Sequence, residues 1–331
     1  MSDRHPTVPA SLEAIREPIA ADLLMVDEVI RRRLDSDVVL IRTIAQYIIG
    51  SGGKRLRPAL VLLAASACGA VGPERHELAA VIEFIHTATL LHDDVVDESS
   101  LRRGRKTANA EFGNAASVLV GDFLYSRAFQ MIVEVGALRI MKVLADATNV
   151  IAEGEVLQLL NVHDAGTDEK QYLRVIRFKT AKLFEAATQV GAILGKAPAA
   201  VERALAEYGM HLGTAFQLID DVLDYSGDLA ETGKNLGDDL AEGKPTLPLI
   251  YAMQAGTEDE RRVVRHAIEQ GGMSDLEAVV AAIQRTKALD YARDRAREEA
   301  AEATARLGLI PDSSCRDSLL QLALFSVERR F

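Results

Sequence analysis

Two runs of this 331-residue sequence hold acids among residues that normally pack inside a protein. In LLHDDVVDE (Leu90–Glu98), Asp93, Asp94 and Asp97 stand among leucine, valine and histidine. In FQLIDDVLDYSGD, Asp220, Asp221 and Asp224 repeat the same Asp-Asp-x-x-Asp spacing. Acids seldom occur unpaired in such apolar company. On a helix, residues four apart share one face, with Cβ atoms about 6 Å apart, so the outer acids of each run repel one another. Protonation or a cation must relieve that repulsion. Two such helices facing each other would offer six carboxylates and no soft ligand. Hard oxygen donors of this kind suit Mg²⁺, which keeps waters and shares its remaining positions with substrate phosphate. One copy of the motif is commonly a solvated helix face; two copies, both flanked by apolar residues, point to a metal site.

A phosphorylated ligand needs converging cations. In GSGGKRLRP, two glycines free the backbone ahead of Lys54, Arg55 and Arg57, and Pro58 is expected at the first position of a helix, making an anion site. The run lacks Walker A spacing and is not a P-loop. Directly after the first acid cluster, SSLRRGRKT supplies Arg102, Arg103, Arg105 and Lys106. Arginine forks bind phosphate oxygens bidentately, so a basic turn beside a cation cluster reads as a diphosphate clamp. Lys179 in FKTAKLFEA, Lys234 in TGKNLGDD and Lys244 in EGKPTLP are further candidates, although each alone would more often be a solvated charge.

Helices must position these groups. Apolar residues recur at three- and four-residue spacing almost throughout, and strand-like alternation is scarce. The pattern predicts helices over roughly 9–34, 38–49, 57–67, 75–99, 115–135, 139–162, 168–194, 199–225 and 245–255, with two or three more to the end. In GTDEKQ the expected helix start is Thr-x-x-Lys, without a full capping box. Breaks fall where Gly, Pro and Asp cluster, and no linker or tandem repeat divides the chain. The expected fold is therefore a single all-α domain spanning 1–331, with residues 1–21 loosely packed. The formal charge of −11 argues against nucleic-acid binding. Cys68 and Cys315 lack metal-ligand spacing and are expected as free thiols of a cytoplasmic protein. No run reaches the ~18 apolar residues of a membrane span.

Taken together, GGKRLRP, HTATLLHDDVVDESSLRRG, FKTA and FQLIDDVLDYSGD…GKNLGDDLAEGKPTLPL resemble the trans-isoprenyl diphosphate synthases, or polyprenyl synthetases, from about Asp22 to the C-terminus. The wording around IEFIHTATLLHDDVVDES and IAEGEVLQLLN is most similar to bacterial members that make an eight-unit chain for the ubiquinone side chain. The resemblance implies a usually homodimeric isoprenoid synthase fold, a single-domain antiparallel helical bundle around a central cavity, that condenses isopentenyl diphosphate onto an allylic diphosphate with two or three Mg²⁺ ions. It implies that Asp93, Asp97 and Asp220, with Asp94, Asp221 and Asp224 in their motifs, serve the metal. Lys54, Arg57, His86 and Arg103 would bind isopentenyl diphosphate. Arg102, Lys179, Lys234 and Lys244 would hold the allylic diphosphate, and Thr180 and Gln217 would flank the reacting carbons. Loss of diphosphate leaves an allylic cation, which oxygen dipoles stabilise without trapping. No Ser/His/Asp or Cys/His set is required.

Product length is expected from the residues before Asp93. One isoprene unit is about one helical turn, or 5 Å. Ala88 and Thr89, one turn back, are small, and Ile85, a further turn in, is of medium size, so a tunnel there stays open for a long chain. Gly121, Leu124, Ala128 and Ile132 form a helical stripe that would serve as its floor. Eight units follow from the resemblance; nine or ten are the alternatives. A terpene cyclase would not need the second diphosphate site that GGKRLRP and RRG supply. A metal phosphohydrolase built on His92-Asp93 needs more suitably placed histidines than the 7 present. A silent partner subunit loses one acid cluster, and this chain has both.

Overall fold

The computed structural model describes residues 11–50, 53–102, 104–226, 237–271 and 273–329. The candidates Arg103 and Lys234 lie outside the described residues. In chain order the helices are α1 (Leu12–Arg16), α2 (Ala20–Arg33), α3 (Val39–Gly50), α4 (Leu56–Ala67) and α5 (Glu74–Val96). A small hairpin follows, β1 (Leu101–Arg102) and β2 (Arg105–Lys106), paired antiparallel with Arg102 opposite Arg105. Then come α6 (Ala108–Phe112), α7 (Asn114–Val135), α8 (Leu138–Asn161), α9 (Glu169–Ile176), α10 (Lys182–Leu194) and α11 (Ala199–Ser226). The last are α12 (Asp238–Ala241), α13 (Leu247–Ala255), α14 (Glu258–Gln270), α15 (Leu276–Thr286), α16 (Ala288–Arg306) and α17 (Ser314–Glu328). The all-α expectation is met, and the helical pattern read from apolar spacing recurs with shifts of one or two residues at most ends.

Four local expectations change. The helix expected over 9–34 is broken by a 3₁₀ turn, Glu17–Ile19, around Pro18, because proline cannot continue the hydrogen-bond ladder. In its described part Ser11 caps Ala14 N–H, and Ile15 and Ile19 are buried. Helix α4 begins at Leu56, not at Pro58. Arg55 caps it in the left-handed conformation (φ 44°), so Pro58 falls where a missing N–H leaves no ladder bond unmade. Helix α9 does carry a capping box, one residue later than expected: Asp168 accepts from Gln171 N–H, and Gln171 Oε1 accepts from Asp168 N–H. Finally, the helix expected over 168–194 is interrupted by a five-residue π-helical turn, Arg177–Ala181, between α9 and α10.

The residues group into two compact units. The first comprises Met1–Thr148, Leu183–Gly209 and Arg306–Leu322. Its centre is α4, on which ten of twelve residues are buried, packed against α5, which in turn packs against α7. Ser117 donates to the Leu91 carbonyl, tying α7 to α5, and Tyr208 donates to the Leu319 carbonyl. The second comprises Asn149–Lys182, Met210–Ala305 and Ala323–Phe331. One of its clusters joins Tyr172, Ile176, Leu218, Ile219, Val222, Leu247, Ile250, Ala292 and Ala296. A second surrounds Leu240, Leu249, Val264, Ile268, Val279 and Ile283.

Within the second unit, α14 starts in a capping box: Thr257 Oγ1 accepts from Glu260 N–H while Glu260 accepts from Thr257 N–H. Replacing Thr257 with alanine is expected to lower the unfolding free energy by about 1 kcal/mol, measured by urea denaturation. An unaltered midpoint would show that the box contributes nothing.

Candidate active site

In the first unit, α5 carries the first acid cluster at its C-terminal end. Its last turn closes as a Schellman motif, with Ser99 N–H bonding to the Asp94 carbonyl and Glu98 N–H to that of Val95, while Glu98 takes a positive φ of 52°. Asp97 is thus the residue just past the helix, held one turn beyond Asp93 by its N–H on the Asp93 carbonyl at 2.8 Å. Both carboxylates are partly exposed. Asp94 differs, because 100° of helical rotation turns it inward, where it is only 4% exposed. Arg102 meets it there, with Nε at 2.9 Å and Nη2 at 2.6 Å from the same Oδ1. Burial pushes the Asp94 carboxyl above its usual range, against the pull of Arg102.

The Arg102 hairpin is itself held in place. Thr107 Oγ1 donates to the Ser99 carbonyl at 2.7 Å, and Asn109 Nδ2 bridges the Asp94 and Ser99 carbonyls. Tyr47 donates to the Lys106 carbonyl and stacks edge-on against Phe112. Gly104 supplies the left-handed turn (φ 72°). Thr107 and Asn109 were missed in the sequence; the signal was there in the Thr-Ala-Asn run that opens α6, with Thr107 as its N-cap. Lys106 pairs with Glu111 and Arg105 lies over the Tyr47 ring, so both basic groups have structural company.

The basic run before α4 divides by role. Arg55 turns to Glu83 and Asp27, a structural ion pair in the core. Arg57 lies over the Phe184 ring at 4.6 Å, with Nη1 3.0 Å from His86 Nε2, so those two candidates are brought together. Lys54 is partly buried just ahead of them. The product-length candidates Ile85, Ala88 and Ile132 are fully buried, while Thr89 is partly exposed and donates to the His86 carbonyl. Gly121 in the floor stripe receives the His92 ring, which a Cβ would strike at 2.3 Å.

In the second unit, the π turn presents Lys179 and Thr180. Gly154 allows α8 to approach it: a Cβ there would lie 2.5 Å from Lys179 N. Buried Glu299 secures the turn, accepting from Arg177 at 2.9 Å and meeting His211 Nδ1 at 2.6 Å; burial opposes its charge, yet these partners hold its pKa below the usual value. Lys179 Nζ lies 2.6 Å from Glu155 Oε2. Thr180 Oγ1 donates to Gln217 Oε1 at 3.0 Å, bringing together the two residues expected beside the reacting carbons.

The second acid cluster on α11 repeats the division seen in the first only at its first two acids. Asp220 stays partly exposed, 3.3 Å from Arg329 Nη2. Asp221 turns inward, 3% exposed, and burial with the nearby charge of Asp239 pushes its pKa up to about 8. It accepts from Tyr172 Oη at 2.6 Å and from Gln217 Nε2 at 2.7 Å. Asp224, also buried, accepts from Asp239 N–H at the start of α12. Lys244 follows α12, its N–H on the Asp239 carbonyl and its Nζ paired with Glu242. Among the described residues, no three acid, histidine or cysteine side chains close into a metal cage. The partly exposed carboxylates Asp93 and Asp97 in the first unit, and Asp220 in the second, are hard oxygen donors of the type that Mg²⁺ takes beside water and phosphate.

An all-α chain with two Asp-Asp-x-x-Asp helices, cationic groups around them and Lys-Thr on a π turn has the composition of a prenyltransferase. The polyprenyl synthetase family model matches residues 38–285, and the chain belongs to that family. It is 54% identical to the octaprenyl diphosphate synthase of Escherichia coli (strain K12) over 96% of this chain and 99% of that one. It is 47% identical to the all-trans-nonaprenyl-diphosphate synthase (geranyl-diphosphate specific) of Rhodobacter capsulatus over 95% and 97%. A crystal structure of polyprenyl synthase from Caulobacter crescentus CB15, complexed with calcium and isoprenyl diphosphate, superposes with a TM-score of 0.94 at 44% identity, covering 98% of this chain and 100% of that one. The fold is the all-α isoprenoid synthase fold, and the protein is a prenyltransferase. No described helix is long and apolar enough to cross a membrane.

Proposed function

We propose that this chain is an all-trans-octaprenyl diphosphate synthase, a homodimer that adds isopentenyl diphosphate head-to-tail to farnesyl diphosphate and makes the chain of ubiquinone. The observation that carries the reading is 54% identity to an octaprenyl diphosphate synthase along nearly the whole of both chains. Asp93, Asp97 and Asp220 would hold Mg²⁺, which when bound neutralises charge developing on the leaving diphosphate. Arg102, Lys179 and Lys244, with Lys234, bind the allylic diphosphate. Lys54, Arg57 and His86, with Arg103, bind isopentenyl diphosphate. Thr180 and Gln217 turn oxygen dipoles toward the allylic cation, stabilising it without offering a strong nucleophile. Asp94, Asp221 and Asp224 belong to the same metal-serving motifs, and the protein donors on buried Asp94 and Asp221 make these two positioning groups for the other acids.

The test is mass analysis of products from the purified protein with farnesyl diphosphate, excess isopentenyl diphosphate and Mg²⁺, beside light scattering of the same sample. The expected product has eight isoprene units, and the expected particle has twice the 35.9 kDa mass of one chain. Nine or ten units would overturn the octaprenyl assignment while leaving the prenyltransferase intact. A particle of single-chain mass would reject the homodimer.

A further inference from the structure

Tyr172 has no place in the assignments above, yet it closes the best-defined polar chain in the second unit. That chain runs Thr180 Oγ1 to Gln217 Oε1 at 3.0 Å, Gln217 Nε2 to Asp221 Oδ1 at 2.7 Å, and Tyr172 Oη to Asp221 Oδ2 at 2.6 Å. Both ends come from one stretch, since α9 carries Tyr172 and the π turn directly after it carries Thr180. Both middle members come from α11, where Gln217 and Asp221 are four apart and so share a face.

The structure gives each of these bonds one direction. Gln217 turns its NH₂ toward Asp221 Oδ1, and Tyr172 donates to the other oxygen of the same carboxyl. The amide oxygen of Gln217 then points to the Thr180 hydroxyl. The reverse orientation would lose both the donation to Asp221 and the acceptor for Thr180. What keeps Asp221 aimed at Gln217 is the bond on its other oxygen. Tyr172 Oη supplies it from a 4%-exposed position within the apolar cluster of Ile176, Leu218 and Val222. A buried carboxylate deprived of one of two donors is left with an unmet acceptor and a freed torsion.

We propose that Tyr172 is a positioning residue for the condensation: acting through Asp221, its hydroxyl fixes the Gln217 amide so that oxygen, not NH₂, lies beside Thr180. This rests on the reading that Thr180 and Gln217 flank the reacting carbons. An amide free to flip would present its positive end to an allylic cation for part of the time, so loss of the tyrosine hydroxyl acts on the chemical step rather than on diphosphate binding.

The test is a double-mutant cycle on the full enzyme with Tyr172→Phe, Gln217→Ala and both together. Tyr172→Phe alone is expected to lower kcat about tenfold with KM for both substrates within about twofold; in the Gln217→Ala background it should change kcat less than about twofold. An unchanged kcat in the single variant, or an equal loss in both backgrounds, overturns the proposal. A readout independent of turnover is the Gln217 side-chain NH₂ resonance in ¹⁵N-glutamine-labelled protein, assigned by its disappearance in Gln217→Ala. Tyr172→Phe should shift it, and an unmoved resonance also overturns the link. An unmutated enzyme that fails to elongate farnesyl diphosphate would reject the functional reading, while the resonance still decides the Tyr172–Gln217 connection.

Discussion

Asp93→Ala and Asp220→Ala are each expected to lower kcat by on the order of 10²–10³, the scale of losing one preorganised electrostatic contact to a charge-developing group. The separation of the acids within each cluster makes the expectation specific. Asp93 and Asp220 are partly exposed, whereas Asp94 and Asp221 are buried on protein partners. Asp93→Ala removes a partly exposed carboxylate, so its thermal midpoint should stay close to that of the unmutated protein, whereas Asp220→Ala also takes the ion-pair partner from buried Arg329 and should lower the midpoint. Removing Asp94 instead would leave Arg102 without its partner and Asp221 would release both Tyr172 and Gln217, so those variants confound chemistry with packing. The measurement is steady-state incorporation of labelled isopentenyl diphosphate at saturating Mg²⁺, with a melting curve for each variant. Near-normal turnover in either alanine variant would sink the metal assignment.

Ala88→Phe is expected to move the main product from a long chain to a short one, a loss of several isoprene units. Ala88 lies on α5 five residues before Asp93 and is 0% exposed. A growing chain that starts at the first acid cluster passes it after about one helical turn, or ~5 Å, which is about one unit of product. A phenyl ring there would occupy the space that later units need. Overpacking a filled site costs about 1–3 kcal/mol, so folding should survive while the path is shortened. Mass analysis separates the outcomes: an unchanged product in a folded, active variant would show that the chain does not run past Ala88. The same substitution at Thr89 is less informative, because that side chain is partly exposed and already bonded to the His86 carbonyl.

The residues that define the chemistry were legible because their signals are local. Apolar spacing marked the helices, two Asp-Asp-x-x-Asp runs marked the hard oxygen donors, and glycine beside basic residues marked the proposed anion sites. Each rests on side-chain type and a short interval, which a helix converts directly into a shared face. The inward turn of Asp94 follows from counting 100° per residue once Asp93 and Asp97 are taken to face out, whereas the burial of Asp224, four residues from partly exposed Asp220, does not.

Partners were another matter. Nothing in the interval between Tyr172 and Asp221, 49 residues apart, announces that one will donate to the other. Nor does the sequence show that Arg55 leaves the anion site for Glu83, or that Glu299 secures the π turn from 122 residues away. A buried charge takes whichever donor packing brings within about 3 Å, and packing is settled by the whole core at once. The left-handed cap at Arg55 and the extra residue of the π turn are likewise conformations that local propensity disfavours and surrounding contacts impose. The sequence by itself determined which acids, bases and dipoles this prenyltransferase has available. Only the tertiary structure decided which of them face outward and which hold the others still, because that choice depends on contacts between residues far apart in the chain.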